Sequence, residues 1–131
     1  MFECLIIGDS IAVGTKSLMP QCLSYASSGI TSWHWGNTYG FVSLTTATIV
    51  VISLGSNDGK NRKTVYALEE IRKRTEAEQV IWIVPTNESR DAVIYVAKKF
   101  GDKMIEIKST QPDKIHPDGK GYREIVEEIK K

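Results

Sequence analysis

The sequence has little of the features that mark several common classes of protein. Its 17 Lys and Arg residues nearly balance its 16 Asp and Glu residues. No basic run is interleaved with aromatic residues, so nucleic acid is not expected as a partner. The longest apolar stretch, TATIVVISLG, is far too short to span a bilayer, so membrane insertion is not expected either. Internal repeats and low-complexity tracts are also lacking, and 131 residues are typical of one domain, here residues 1–131.

Cysteine and histidine are both scarce. Cys4 and Cys22 fall in predicted strands, where buried reduced thiols are favoured over a disulfide or a metal site. Neither His34 nor His116 has metal-ligand spacing with a cysteine or a carboxylate, so no metal or other cofactor is expected. The first residues, MFECLIIG, lack the basic region and the long apolar run of a secretion signal, which favours a location that is cytoplasmic or otherwise reached without a classical secretion signal.

Apolar runs alternate with amphipathic segments along the chain. This alternation predicts an α/β fold in which helices cover both faces of a doubly wound parallel sheet. Residues 27–40, rich in Gly, Ser and aromatics, are predicted to be a long loop with a single helical turn. The strands are expected over 2–7, 22–26, 47–54, 79–85 and 103–107, and the helices over 11–19, 62–77, 89–100 and 118–130.

Small and polar residues follow the end of every predicted strand. Sheets of this kind bind ligands at the carboxyl ends of their strands. The residues in question should therefore lie along one edge of the sheet although they are far apart in sequence. In chain order they are Ser10, Gly29, Asn57, Asn87, and the pair Asp113 and His116.

Three of these residues could form a serine nucleophile together with its base and the group that orients the base. A serine needs a base to take its proton and a group that orients the base. The stretch DKIHPDG places Asp113 three residues before His116, so one loop can supply both. Backbone N–H groups at the start of the helix after Ser10, together with Gly29 and the Asn57 amide, are candidate donors to an oxyanion.

The motifs around these residues resemble those of the SGNH, or GDSL, hydrolases. GDS at 8–10, GSND at 55–58 and DKIHP at 113–117 match three of the family's blocks in order, over nearly the whole chain. The resemblance implies a flavodoxin-like five-stranded sheet of order 2-1-3-4-5. It also implies Ser10 as the nucleophile, His116 as its base and Asp113 as the residue that orients the base.

The resemblance also implies an oxyanion hole. Its donors would be the backbone N–H groups of Ser10 and Gly29 and the side chain of Asn57. The block that holds Gly29, SSGITSW, is the poorest of the matches, and Gly36 is the other candidate for that donor.

The sequence therefore predicts a serine esterase that hydrolyses a short-chain ester, such as an O-acetyl group on a carbohydrate, through an acyl-enzyme. Trp33, Trp35 and Asn87 are candidate substrate contacts, although the tryptophans could equally anchor the long loop to the sheet. A lysophospholipase or thioesterase of the same family and a non-catalytic ligand-binding module are the alternatives. A nucleotide binder is disfavoured, because the glycines of GDSIAVGTKS are wrongly spaced for a phosphate loop. The oligomeric state is not indicated.

Overall fold

Five parallel strands form one sheet in the order β2-β1-β3-β4-β5. The structure is a computed structural model that describes residues 2–131. The strands are β1 (Phe2–Gly8), β2 (Leu23–Ala26), β3 (Ala47–Ser53), β4 (Gln79–Val84) and β5 (Lys103–Glu106). The helices are α1 (Ser10–Ser17), α2 (Ser32–Thr38), α3 (Lys63–Lys73), α4 (Arg90–Phe100) and α5 (Gly119–Lys130). The predicted doubly wound fold and strand order are confirmed.

The sheet is covered on both faces because successive residues of its strands point to opposite sides. In β1, Leu5 and Ile7 face a core that also contains residues of α2, α3 and α4. Cys4 and Ile6 face a second core, shared with α1 and α5. Both sides bury apolar residues, which is why the central strands are continuous apolar runs. None of the helices among residues 2–131 is long and apolar enough to cross a bilayer.

The turn from β1 into α1 depends on Gly8. Its φ is 140°, a region that favours glycine, and a Cβ there would lie 1.8 Å from the carbonyl oxygen of Ser53. The same carbonyl accepts a hydrogen bond from the backbone N–H of Asp9. Asp9 then caps α1, since its side chain accepts from the N–H of Ile11. Gly8 is required by the close crossing and Asp9 supplies the cap, and together they place Ser10 at the first position of the helix.

The expectation of reduced thiols is wrong. Cys4 and Cys22 form a disulfide, with their Cα atoms 4.8 Å apart. Both residues are buried beneath α1. The bond joins β1 to the segment that leads into β2, so it links the two ends of the α1 crossover.

Residues 27–40 are more ordered than a loop with a single helical turn. Helix α2 spans Ser32–Thr38, and Thr31 caps it by accepting a hydrogen bond from the N–H of His34. Trp35 anchors this helix to the sheet, because its ring is fully buried and its Nε1–H donates to the carbonyl of Tyr25. A well-placed cap and one buried indole therefore stabilise a helix that the Gly- and Ser-rich composition conceals.

Candidate active site

Two hydrogen bonds link three side chains from opposite ends of the chain. The Ser10 hydroxyl lies 3.0 Å from Nε2 of His116, and Nδ1 of His116 lies 2.6 Å from Oδ2 of Asp113. Ser10 begins α1 at the carboxyl end of β1, whereas Asp113 and His116 belong to the segment between β5 and α5. The structure thus brings together the three residues that the sequence singled out for a nucleophile, a base and its orienting group.

Asp113 is held as a carboxylate by its own loop. Its Oδ1 accepts hydrogen bonds from the backbone N–H groups of Ile115 and His116, at 2.9 and 3.0 Å. The Ile115 bond first, and then the bonds from the His116 side chain and backbone, lower the pKa of Asp113 to about 2. The side chain is therefore negatively charged across the neutral range.

The charge on Asp113 determines where the histidine carries its proton. A carboxylate can only accept hydrogen bonds, so Nδ1 of His116 must be the donor in their contact. The lone pair of Nε2 then faces the Ser10 hydroxyl. In this tautomer the imidazole can take the hydroxyl proton as the serine oxygen attacks a carbonyl carbon.

A second set of contacts holds the histidine loop in place. The hydroxyl of Thr86, after β4, donates to the carbonyl of Lys114 at 2.6 Å, and the N–H of Gln111 donates to the carbonyl of His116 at 2.8 Å. Lys114 has a φ of 61°, which is uncommon for a residue other than glycine. The sequence analysis missed Thr86, because a single threonine in a strand-end loop gives no motif to recognise.

Asp58 joins the loops after β2 and β3. Its buried carboxylate accepts hydrogen bonds from the N–H and hydroxyl of Ser32 and from the hydroxyl of Thr64, which ties the first turns of α2 and α3 together. Next to it, Nδ2 of Asn57 donates to the carbonyl of Ile30 at 3.0 Å. A primary amide has two N–H bonds, so one donor of Asn57 is still free while the other fixes its orientation.

The two candidate glycines lie in different surroundings. Gly29 is exposed between β2 and α2 with a φ of 79°. Gly36 lies inside α2, where a backbone N–H bonds to the carbonyl four residues earlier. Gly36 therefore has no free N–H to offer an oxyanion, and Gly29 stays the candidate beside Ser10. As the first helical residue, Ser10 has a backbone N–H without an intrahelical partner.

Three predicted substrate contacts have different outcomes. Trp35 cannot contact substrate, because its ring is 0% exposed, and that expectation is wrong. Asn87 uses its amide within the protein, donating to the carbonyl of Ser56 and accepting from the hydroxyl of Ser89. It braces the segment next to Asn57. Trp33 is partly exposed on α2 and stays a candidate contact.

Asp9 is a second carboxyl group next to Ser10, and it is fully buried. Its Oδ1 accepts hydrogen bonds from the N–H of Ile11 and the hydroxyl of Ser53, at 3.0 and 3.2 Å. Its Oδ2 has no hydrogen-bond partner among the described residues. Burial, only partly offset by these bonds, raises the pKa of Asp9 to about 6. The group supports the start of α1 from below and does not reach His116.

Comparison with solved structures finds matches over most of the chain. The alignment with a candidate acylhydrolase from Bacteroides fragilis spans 98% of this chain and 85% of the acylhydrolase, at 16% identity and a TM-score of 0.68. The fold is the same. A candidate GDSL-like lipase from Bacteroides ovatus covers 83% of this chain and 69% of its own, at 16% identity and a TM-score of 0.62. The alignment with the C-terminal catalytic domain of peptidoglycan O-acetyltransferase A from Streptococcus pneumoniae spans 98% of this chain and 90% of that domain, at 16% identity and a TM-score of 0.59.

No protein-family model and no curated protein sequence matches this chain. At such low identities the structural likeness establishes the fold. It agrees with the SGNH resemblance of the three sequence motifs. In residues 2–131, no group of three or more His, Cys, Asp and Glu side chains is arranged to hold a metal ion.

Proposed function

We propose that this protein is a serine esterase of the SGNH type that hydrolyses short-chain esters through an acyl-enzyme on Ser10. One observation carries the proposal. The Ser10 hydroxyl, the His116 imidazole and the Asp113 carboxylate form a continuous hydrogen-bonded chain at the carboxyl edge of the sheet. That edge is where open parallel sheets bind their ligands.

The proposed proton transfers run along the hydrogen bonds that link Ser10, His116 and Asp113. Oγ of Ser10 forms a bond to the ester carbonyl carbon while its proton moves to Nε2 of His116. The alcohol then leaves and takes that proton, and the acyl group stays on Ser10 as an ester. Water attacks the acyl-enzyme, giving its proton to His116, which returns it to Ser10 as the carboxylic acid departs. Asp113 holds the imidazole in the required tautomer and stabilises its positive charge.

The negative charge on the carbonyl oxygen needs donors during both attacks. The backbone N–H groups of Ser10 and Gly29 and the free N–H of Asn57 are the groups we assign to it. A donor that acts on charge present only in the transition state raises kcat without tightening substrate binding. The bond from Asn57 to Ile30 supports this role, since an amide already oriented costs nothing to align during the reaction.

We further propose that the natural substrate is an O-acetyl ester on a carbohydrate. Trp33 is partly exposed at the start of α2, and an indole face suits the apolar face of a pyranose ring. One protein with the same fold is a peptidoglycan O-acetyltransferase. Ser10 and His116 are partly exposed and Asp113 is exposed, which supports a shallow site that would gain little from a long acyl chain.

Covalent labelling tests the proposed chemistry directly. A fluorophosphonate should modify Ser10, and Ser10→Ala should abolish both the labelling and the hydrolysis of 4-nitrophenyl acetate. Ser56→Ala, in the neighbouring loop, is the matched control and should retain both. Modification at Ser53, Ser56 or Ser89 in the wild type would contradict the assignment. A rise of kcat/KM from acetyl to octanoyl esters would instead favour a lipase or thioesterase.

The cellular location stays a prediction. The sequence favours the cytoplasm, whereas the Cys4–Cys22 disulfide favours an oxidising compartment. Trapping of free thiols in the source cells with a maleimide, followed by mass measurement of the protein, would decide between the two.

A further inference from the structure

A groove of about 550 Å³ runs between α2 and α3 on the face of the sheet away from α1. Its volume lies in the range of small-molecule sites. Trp33 and Gly36 line it from α2, and Lys63, Tyr66 and Glu70 line it from α3. The proposed reaction uses none of these side chains at the reacting atoms.

The upper end of the groove is joined to the candidate active site. Ser32 lines the groove and is hydrogen-bonded through both its N–H and its hydroxyl to Asp58. The residue before Asp58 is Asn57, a proposed oxyanion donor. These contacts place the upper end of the groove beside the loop that carries Asn57.

The walls of the groove combine aromatic rings with open space. The ring of Trp33 is partly exposed, and Tyr66 is 73% exposed one turn below the start of α3. At Gly36, a Cβ would meet no atom within 4 Å, so the missing side chain leaves the space between the helices empty. The rings of Trp33 and Tyr66, together with the empty space at Gly36, form a slot that suits a ring with apolar faces, such as a pyranose.

The end of the groove nearest the site is positively charged. Lys63 places its Nζ 5.6 Å from the centre of the Trp33 ring. Lys60 and Arg62 lie in the loop just before α3, and neither they nor Lys63 forms an ion pair with any residue in the range 2–131. Glu88 lines a neighbouring groove with Lys60 and Arg62 but pairs with neither.

The opposite end of the groove has no such excess of positive charge. Arg74 stacks on Trp35 and donates two hydrogen bonds to backbone carbonyls, so its guanidinium is already engaged. Glu70 lies two turns below Lys63 and interacts with Lys73 at 3.6 Å. An anionic group would therefore be favoured near Lys63, next to the site, and disfavoured deeper in the groove.

We propose that this groove binds the saccharide part of the substrate, and that the saccharide carries a carboxylate that contacts Lys63. The inference rests on the proposed esterase function and adds the substrate class to it: O-acetylated acidic sugars in preference to neutral ones. Trp33 supports the sugar ring, Gly36 leaves room for it, and the Lys63 ammonium attracts the carboxylate.

A matched pair of substrates tests the charge. An O-acetylated methyl glucopyranosiduronate and the methyl glucopyranoside acetylated at the same position differ only at C6, which is a carboxylate in the first and a hydroxymethyl group in the second. The wild type should hydrolyse the acidic sugar with kcat/KM about two- to fivefold higher, as expected of a partly solvated ion pair. The preference should shrink in 0.5 M salt and vanish in Lys63→Gln. Lys98→Gln, an exposed lysine on α4 outside the groove, should keep it.

A second variant tests whether the sugar ring occupies the space beside Gly36. Gly36→Leu fills the slot with a residue that favours helix more than glycine does. It should lower kcat/KM for both sugars by roughly tenfold relative to that for 4-nitrophenyl acetate, mainly through KM. Thr38→Leu, on the same helix but outside the groove, should leave that ratio at the wild-type value. Loss of octanoyl ester hydrolysis in Gly36→Leu, with the sugars unaffected, would mean that an acyl chain occupies the groove and would overturn the proposal.

Binding without catalysis separates the two proposals. The unacetylated methyl glucopyranosiduronate should shift the NMR signals of Trp33 and Gly36 in the wild type, and it should leave the Trp33 signal unshifted in Gly36→Leu. If 4-nitrophenyl acetate is hydrolysed but the sugar causes no such shifts, the groove assignment is wrong and the esterase stands. If the shifts occur but Ser10 is neither labelled nor active, the esterase proposal is wrong and the groove is a saccharide site of a binding protein.

Discussion

Two aspartates flank the site, and their surroundings move their pKa values in opposite directions. Asp113 is exposed and accepts three hydrogen bonds, and its pKa is about 2. Asp9 is fully buried, one of its oxygens has no hydrogen-bond partner within residues 2–131, and its pKa is about 6. The difference shows that a carboxylate is made strongly acidic by donors around it, whereas burial without enough donors makes it a weak acid.

The two environments fit two tasks. Asp113 must stay charged to orient an imidazole and to stabilise its positive form, and a loop open to solvent with three donors achieves this. Asp9 must occupy a fixed position under Ser10, where it caps α1 and bonds to Ser53. Its charge is incidental to that task. Removal of each charge in turn is therefore the sharpest way to test the comparison.

The largest effect is expected when Asp113 is replaced. Asp113→Asn should lower kcat for 4-nitrophenyl acetate by on the order of 10³- to 10⁴-fold, because an amide favours the wrong imidazole tautomer. Asp9→Asn keeps a good helix cap and should lower kcat by less than about tenfold. Steady-state kinetics of the two variants measure the contrast, and similar losses in both would remove it.

A somewhat smaller effect is expected on the other side of Ser10. Asn57→Ala removes a donor that is anchored to Ile30, and it should lower kcat by about 10²- to 10³-fold with KM nearly unchanged. Asn87→Ala should lower kcat less than Asn57→Ala does, since the Asn87 amide is engaged with Ser56 and Ser89 and only braces the loop from behind. A raised KM at constant kcat in Asn57→Ala would mean that Asn57 binds substrate and not the transition state.

Between pH 3.5 and 7, the pH dependence of the free energy of unfolding should report on Asp9 and not on Asp113. Its folded pKa of about 6 exceeds the ordinary value of 3.8, so between these values the folded protein holds a proton that the unfolded chain has lost. The contribution of Asp9 to stability is therefore fully present below pH 4 and is lost as the pH rises to about 6. A shift of about two pKa units corresponds to about 3 kcal/mol. Urea unfolding from pH 3.5 to 7 should show this extra decline in the wild type and not in Asp9→Asn.

The smallest effect is expected on the pH profile of catalysis. The pKa of Asp9 is about 6, so an acid limb of kcat/KM near that pH could belong to Asp9 or to the imidazole of His116. If the limb belongs to the imidazole, Asp9→Asn should move its midpoint by less than about 0.3 pH unit. A limb that disappears in Asp9→Asn would make Asp9, and not His116, the group that controls activity.

Residues at strand ends could be predicted well because the relevant signal is local. Ser10, Asn57 and the pair of Asp113 and His116 each follow a recognisable apolar run or helix-flanking motif. Parallel topology then brings strand ends to one edge regardless of their distance in sequence. Residues that act through a neighbour were harder to predict. Thr86, which donates to the Lys114 carbonyl, has no pattern around it, and its role depends on how two loops meet.

The sequence by itself determined the alternation of strands and helices, the edge on which the site lies and the three side chains of the proposed triad, because apolar periodicity and short motifs are properties of neighbouring residues. The order of the strands followed only from the resemblance of those motifs to the SGNH hydrolases. Tertiary structure decided the Cys4–Cys22 disulfide, the burial of Trp35 and the groove beside Gly36. Each of these depends on the packing of segments that lie 10 to 30 residues apart, and the distances between such segments are set only when the helices settle on the sheet.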